Sequence, residues 1–187
     1  MISVFLLLAS VCTPFSVEAI GGMVVPGIPE TDGPAVFCEF RAGIDVAENW
    51  TVFAAVPFWK LSNFNPSSNP PEFVEYEQYN WYKNYSESRI GYQLGVRRCM
   101  GIFSLEAAAG PVKRTAEFAL SGADYDGYED TRNQETRFLG SLGIIIPTGT
   151  YSLFNLAVRT EDFSDWFFTA GAGLTLSSDT FTGTGGE

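Results

Sequence analysis

Within residues 88–98, SRIGYQLGVRR, side chains alternate in character from Arg89 to Arg97. Between these two arginines the even positions are Ile90, Tyr92, Leu94 and Val96, whereas arginine, glycine and glutamine occupy the odd positions. Because successive side chains of an extended strand point to opposite faces, this period of two predicts a β-strand with one apolar and one charged face. The fold of the chain then depends on which face packs inside.

The same alternation recurs along the chain and predicts seven strands. No segment of about a dozen residues shows helical periodicity, so we expect an all-β protein. The third strand changes phase near Met100–Gly101, which predicts a β-bulge or a tight turn, and residues 110–112 predict a turn before the fourth strand. An eighth strand would come from residues 20–34 or from a division of the third strand. The seven strands start at residues 35, 50, 88, 113, 136, 151 and 166.

Composition supports β structure and excludes one class of partner. Aromatic residues make up 15% of the chain and glycine occurs 19 times, while lysine is rare, which favours strands over helices. The net charge is −11. Because phosphate binding needs a basic patch, this balance excludes nucleic acid as an expected partner.

The chain contains no histidine, which removes several enzyme classes at once. Histidine-dependent catalytic triads and dyads and histidine metal sites are excluded. The nucleophile-elbow pattern of hydrolases and the glycine-rich phosphate loop are also missing from the sequence. We therefore expect a non-enzymatic protein without a cofactor or a catalytic metal.

The N terminus predicts export. Residues 4–12 form an apolar stretch that is too short to span a bilayer as a helix, and Val17 and Ala19 fit the −3 and −1 positions of a cleavage site. We predict a signal peptide at 1–19, a linker or short first strand at 20–34, a barrel at 35–176 and a tail at 177–187. Two alternatives to a cleaved signal peptide are a buried N-terminal strand and a lipoprotein lipidated at Cys12. Cys38 and Cys99 form one disulfide or remain free thiols.

Two long polar connections separate the strands, at 62–87 and 121–135, and both are predicted to be exposed loops. The second contains DYDGYED, whose carboxylates are oxygen ligands of the kind that Ca²⁺ prefers. The spacing does not match an EF-hand, so we interpret these residues as a solvated acidic loop. The acidic residues are Asp124, Asp126, Glu129 and Asp130.

The alternation fits two architectures. A secreted barrel or sandwich turns the apolar face inward, whereas a transmembrane barrel turns it toward lipid and fills its lumen with polar side chains. Three observations favour the transmembrane barrel: short and long connections alternate, lysine is scarce, and aromatic residues lie at strand ends. In that architecture, buried arginine and glutamate side chains are expected to pair across strands. The expected lumen residues are Glu39, Arg41, Arg89, Gln93, Arg97 and Arg137.

The chain resembles small bacterial outer-membrane β-barrels of the OmpA-like or OmpX-like kind. The resemblance rests on the predicted signal peptide, the amphipathic strands, the Asn- and Tyr-rich loops and the closing segment FFTAGAGLTL. The resemblance covers residues 35–176 and implies an antiparallel up-and-down transmembrane β-barrel of about eight strands. It also implies an outer-membrane location and a role in surface adhesion, envelope integrity or partner binding through the two long loops. The alternatives are a secreted lipocalin-like barrel that binds a small apolar ligand and a subunit or fragment of a larger porin-like barrel.

Overall fold

The computed structural model describes residues 14–25, 35–62, 82–120 and 129–177. Within these residues there is no helix of the length and hydrophobicity that a bilayer span requires. All strand pairs are antiparallel. The strands are β1 (Phe15–Val25), β2 (Ala35–Ala47), β3 (Trp50–Ser62), β4 (Tyr82–Gly91), β5 (Gln93–Cys99), β6 (Ser104–Leu120), β7 (Glu129–Pro147), β8 (Ser152–Glu161) and β9 (Asp165–Ser177).

β4 and β5 share one position in the wall of a closed barrel. Both pair with β3 on one side and β6 on the other, and only Tyr92 separates them. The Tyr92 N–H donates to the carbonyl of Pro111 in β6 (2.9 Å), so hydrogen bonding continues across the interruption. Because β1 pairs with both β2 and β9, and β2 pairs with β3, the eight wall positions close. The predicted all-β, up-and-down barrel of about eight strands is confirmed.

The two ends of the barrel differ. The turn end carries the short connections at 48–49, 100–103 and 148–151, and Ser16 and Ser177 pair there near the ends of β1 and β9. The loop end carries the links 26–34, 63–81 and 121–128, which lie outside the described residues, and the short turn 162–164. Short and long connections therefore alternate along the chain until β8, as the sequence pattern predicts.

The short turn between β8 and β9 makes these two strands end before β7 does at the loop end of the barrel. Asp162 and Phe163 both have positive φ (49° and 61°), which is unusual for a bulky residue such as phenylalanine. The Phe163 ring stacks on Phe138 with 5.3 Å between centroids, and the Phe138 N–H donates to the Asp162 side chain (2.8 Å). Pairing of β7 with β8 ends at Leu139, so residues 129–138 of β7 extend beyond this turn.

The predicted turn at 110–112 is wrong, because these residues lie inside β6, whereas the tight turn predicted as an alternative near Met100–Gly101 is present at 100–103. Gly101 has φ of 88° and the Met100 N–H donates to the Phe103 carbonyl (2.8 Å). Gly110 has a different role, since a Cβ there would lie 1.9 Å from the Tyr92 carbonyl oxygen. It is a glycine of close backbone approach, which a sequence pattern does not distinguish from a turn glycine.

Several predicted segment boundaries also shift. Residues 82–87 and 129–135, predicted as loop, belong to β4 and β7, whose outer portions lack the alternation that marks the other strands. β1 begins at Phe15 and so includes residues 15–19 of the predicted signal peptide and residues 20–25 of the predicted linker or first strand. The eighth wall strand is therefore β1. Residues 1–13 and 178–187 lie outside the described residues, and the signal peptide stays a prediction.

Candidate functional site

The apolar side chains of the alternating strands point away from the barrel axis. Leu94 is 72% exposed, Leu142 64% and Leu174 63%. The odd-numbered neighbours of Leu94 point inward, and Gln93 is buried. This orientation contradicts the soluble-barrel alternative, in which the apolar face turns inward.

The outer apolar surface has the height of a membrane span. Along β3, the outward positions run from Trp50 to Phe58 with small or β-branched residues between them, and the next outward residue is the exposed Lys60. A strand crossing a bilayer at a tilt needs about 9–11 residues, which this interval matches. Trp50 lies at the turn end and Trp166 at the loop end, as in the aromatic belts of membrane barrels.

The lumen contains a first set of paired charges, which we call the inner network. Most of it lies between the middle of the barrel and the turn end, and each member comes from an inward-facing position of its strand. The members are Glu18, Glu39, Arg41, Arg97, Glu106 and Arg159.

Arg41 and Arg97 connect four strands within the inner network. Arg41 donates to Glu39 on its own strand (2.5 Å) and to Glu106 of β6 (2.7 Å). Arg97 of β5 donates through both terminal nitrogens to the carboxylate of Glu18 in β1 (2.5 and 2.7 Å). Such two-point guanidinium–carboxylate pairs are stronger and more directional than neutral hydrogen bonds.

Arg159 extends the inner network toward the loop end. It donates to Glu39 and also contacts Thr169 Oγ1 (3.2 Å) and Gln93 Oε1 (3.4 Å). Its guanidinium carbon lies 4.8 Å from the centre of the Phe37 ring. With 1% side-chain exposure, Arg159 is held entirely by protein groups.

A second set of charges, the rim network, lies nearer the loop end and comprises Glu87, Arg89, Arg114 and Glu161. Arg114 donates to both carboxylate oxygens of Glu87 (2.7 and 2.9 Å). Arg89 donates to Glu87 and, across the lumen, to Glu161 (2.5 Å). On β6, the inward positions between the two networks are Ala108, Gly110 and Val112.

The two networks balance in charge. Five arginines, Arg41, Arg89, Arg97, Arg114 and Arg159, face five glutamates, Glu18, Glu39, Glu87, Glu106 and Glu161, and their side chains are at most 12% exposed. Removing one partner of a buried ion pair costs about 3–5 kcal/mol because the other charge stays buried. The lumen is therefore a filled interior in which each charge needs its partner.

Apolar side chains complete the filling. A cluster of buried apolar residues contributes to the lumen, and the rings of Trp59 and Phe167 meet within it at 5.4 Å between centroids. Narrow barrels of about eight strands have just enough interior for side chains. The other members of the cluster are Ile20, Val24, Ala35, Phe37, Val112, Leu139, Ile145 and Leu153.

The structure brings most of the predicted lumen residues together. Glu39, Arg41 and Arg97 lie in the inner network, with Gln93 hydrogen-bonded to Arg159, and Arg89 lies in the rim network. Arg137 stands apart at the loop end, where its side chain is 18% exposed and donates to Asp165 (3.1 Å).

Sequence reasoning missed more than half of the charged residues in the two networks. Arg159 continues the odd-numbered inward positions of β8, so its phase alone would have identified it. Glu18 was hidden in the predicted signal peptide and Glu87 in a predicted loop. Glu106, Arg114 and Glu161 were missed as well.

The predicted acidic loop is only partly described. Asp124 and Asp126 lie outside the described residues, whereas Glu129 and Asp130 open strand β7. In the described part of the chain, no group of three or more Asp, Glu, Cys or His side chains is arranged to hold a metal ion. Cys38 and Cys99 are both free thiols, which settles the choice that the sequence left open.

No protein-family model matches the sequence, and a search of curated proteins finds no match. Solved structures do match. Ail, the attachment invasion locus protein of Yersinia pestis, in complex with the heparin analogue sucrose octasulfate, is 11% identical with a TM-score of 0.58, covering 88% of this chain and 97% of Ail.

Two further structures share the architecture. The N-terminal β-barrel domain of Pseudomonas aeruginosa OprF is 11% identical with a TM-score of 0.51, covering 87% of this chain and 97% of that domain. A major outer membrane protein from Thermus thermophilus is 12% identical with a TM-score of 0.54, covering 88% of this chain and 100% of that chain. The resemblance predicted from the strand pattern is thus confirmed at the level of the fold: the chain folds as a small bacterial outer-membrane β-barrel does.

Proposed function

We propose that this protein is a transmembrane β-barrel of a bacterial outer membrane, with its outer wall in hydrocarbon and its lumen sealed by paired charges. The observation that carries the proposal is the reversed polarity of the molecule: exposed leucines such as Leu94 and Leu174 surround a buried, charge-balanced interior. Lipid solvates an apolar outer wall, whereas in water this wall would drive aggregation.

Within that membrane, the barrel acts as a non-enzymatic anchor in surface adhesion or envelope integrity. A lumen filled by ion pairs and aromatic rings supports anchoring rather than diffusion of solutes. The partners are outer-membrane lipid and, through residues 62–87 and 121–135, proteins of the envelope or of another cell surface. Of those segments, 63–81 and 121–128 lie outside the described residues.

The charge of this chain narrows the class of adhesion partner. Ail has been solved in complex with a heparin analogue, which is a polyanion. Here the net charge is −11, so long-range electrostatics disfavour a polyanionic partner and favour a neutral or basic one. We infer that any adhesive role of this protein is directed at such a surface.

Topology follows from the two ends of the barrel. In outer-membrane barrels the short turns face the periplasm and the long loops face outward. The turn end, with residues 48–49, 100–103 and 148–151, is then periplasmic, and the chain reaches the membrane by export through its N-terminal signal.

The test is to express the full chain in a bacterium with an outer membrane, separate the membranes by density and compare boiled and unboiled samples on gels. We expect the protein in the outer-membrane fraction with faster migration when unboiled, because a folded barrel resists the detergent. Protein that stays in solution without detergent would contradict the proposal.

The same cells separate adhesion from integrity. Replacing residues 64–80 with a short glycine-serine linker leaves every described strand intact. Loss of attachment to a basic surface with unchanged detergent resistance of the cells supports adhesion, whereas the reverse result supports envelope integrity. A chain that keeps residues 64–80 and has residues 122–127 replaced by the same linker serves as the matched control for loop identity.

A further inference from the structure

Strand β1 is part of the barrel wall from its first residue. Phe15 pairs with Ile44 of β2, and from Ser16 onward β1 also pairs with β9, beginning at Ser177. Residues 15–19 thus hold together two neighbouring strands at the turn end. A wall without them would leave the backbone edges of β2 and β9 facing each other without hydrogen bonds, and open edges are not tolerated in hydrocarbon.

Residue 18 supplies one of the three carboxylates of the inner network. Glu18 is 3% exposed, receives two hydrogen bonds from Arg97 and lies 3.7 Å from Arg41. Without Glu18, the remaining carboxylate near Arg97 is Glu106 at 3.5 Å, which Arg41 already binds at 2.7 Å. Three arginines would then share two glutamates in a buried space.

The residues that suggest cleavage after Ala19 have a structural role of their own. Val17 and Ala19 lie at outward positions of β1, and Val17 is 48% exposed on the apolar outer wall. Alternation of apolar and polar residues is typical of a barrel strand, and in β1 it also places Val17 and Ala19 at the −3 and −1 positions that a signal peptidase reads. The two patterns coincide here.

We propose that residues 15–19 are retained in the mature barrel and that any leader peptide is removed upstream of Phe15, not at the bond between Ala19 and Ile20. This inference rests on pairing and burial within the barrel. It does not depend on which function the surface loops carry.

The first test is the N terminus of the folded protein. The full chain, with an affinity tag at its C terminus, is expressed in a bacterium with an outer membrane, and the heat-modifiable pool is analysed by intact mass and N-terminal sequencing. We expect a chain that starts at or before Phe15. A folded pool that starts at Ile20 overturns the proposal.

The second test compares two chains refolded from urea into detergent micelles, one starting at Pro14 and one at Ile20. We expect the first to become heat-modifiable and the second to give at least a tenfold smaller folded fraction. Equal folded fractions would overturn the proposal. If neither chain refolds, the mass of the pool isolated from membranes decides.

A third chain, starting at Pro14 and carrying Glu18→Gln, separates the two contributions of this segment. It keeps the backbone pairing of β1 and loses only the charge. We expect it to fold with a lower urea midpoint than the unsubstituted chain. An unchanged midpoint would remove Glu18 from the reasoning, and the proposal would then fail if the chain starting at Ile20 also folded normally.

Discussion

Replacement of Arg159 by methionine tests whether the lumen charges are shielded from water, because the loss in the free energy of unfolding depends on that shielding. Arg159 loses contacts to Glu39, Thr169 and Gln93, and methionine fills a similar volume without a charge. Breaking a buried pair costs about 3–5 kcal/mol. Because Glu39 keeps Arg41 as a second partner at 2.5 Å, we expect a loss near the lower value, about 3 kcal/mol in the free energy of unfolding.

The assay is urea unfolding of the barrel in phospholipid vesicles, followed by tryptophan fluorescence and by the fraction of heat-modifiable protein. With a urea dependence of about 2 kcal/mol per molar, a loss of about 3 kcal/mol lowers the midpoint by about 1.5 M. Arg137→Met is the matched control, since Arg137 lies at the loop end with partly exposed partners and its loss should cost less than about 1 kcal/mol.

A double-mutant cycle with Glu39→Gln tests whether the pair acts as a unit. Each single variant leaves a buried charge with fewer partners, whereas the double variant of Arg159 and Glu39 removes both charges. We expect the double variant to lose about 2 kcal/mol less than the sum of the singles. If Arg159→Met and Arg137→Met cost the same, within about 0.5 kcal/mol, then water screens the lumen charges and the reasoning is refuted.

Three other outcomes follow from the same structure. Leu94→Arg should lower folding stability in vesicles by about 2–4 kcal/mol because it places a charge in hydrocarbon. Thr136→Arg, near the loop end, is the control and should cost at most about 1 kcal/mol. Equal effects of the two substitutions would argue against a membrane-embedded wall. Gly110→Ala should cost about 1–3 kcal/mol in urea unfolding, since its Cβ meets the Tyr92 carbonyl, whereas Gly21→Ala, with open space around it, should be neutral or stabilising by about 0.5 kcal/mol. The purified barrel should show no conductance steps in a planar bilayer, and regular steps would reveal an open lumen.

The period of two in the sequence determined the strands and the composition of their two faces. In β9, for example, Trp166, Phe168 and Leu174 share one face, and in β2 Glu39 and Arg41 share the other, because backbone geometry alone sends alternate side chains to opposite sides. This local rule fails at the loop end, where the first residues of β4 and β7 continue the strands without alternation. The polar beginnings of β4 and β7 therefore resembled loops.

Turn assignment also reached the limit of local information. Gly110 and Gly101 are both glycines next to apolar runs, yet one lies in mid-strand and the other in a turn. The difference is the carbonyl of Tyr92 beside Gly110, which comes from a neighbouring strand position. No local pattern contains that contact.

The connection lengths and the scarcity of lysine favoured a charged lumen, but only the tertiary structure decided which charges meet. Glu18 and Arg97 are 79 positions apart in the chain, and Arg159 and Glu39 are 120 apart. Such pairs exist because closing the barrel fixes the register of each strand against its neighbours, and closure is a property of all eight wall positions together. The sequence by itself determines that each strand has two different faces. The charged face is buried because the whole sheet closes into a barrel with that face inside.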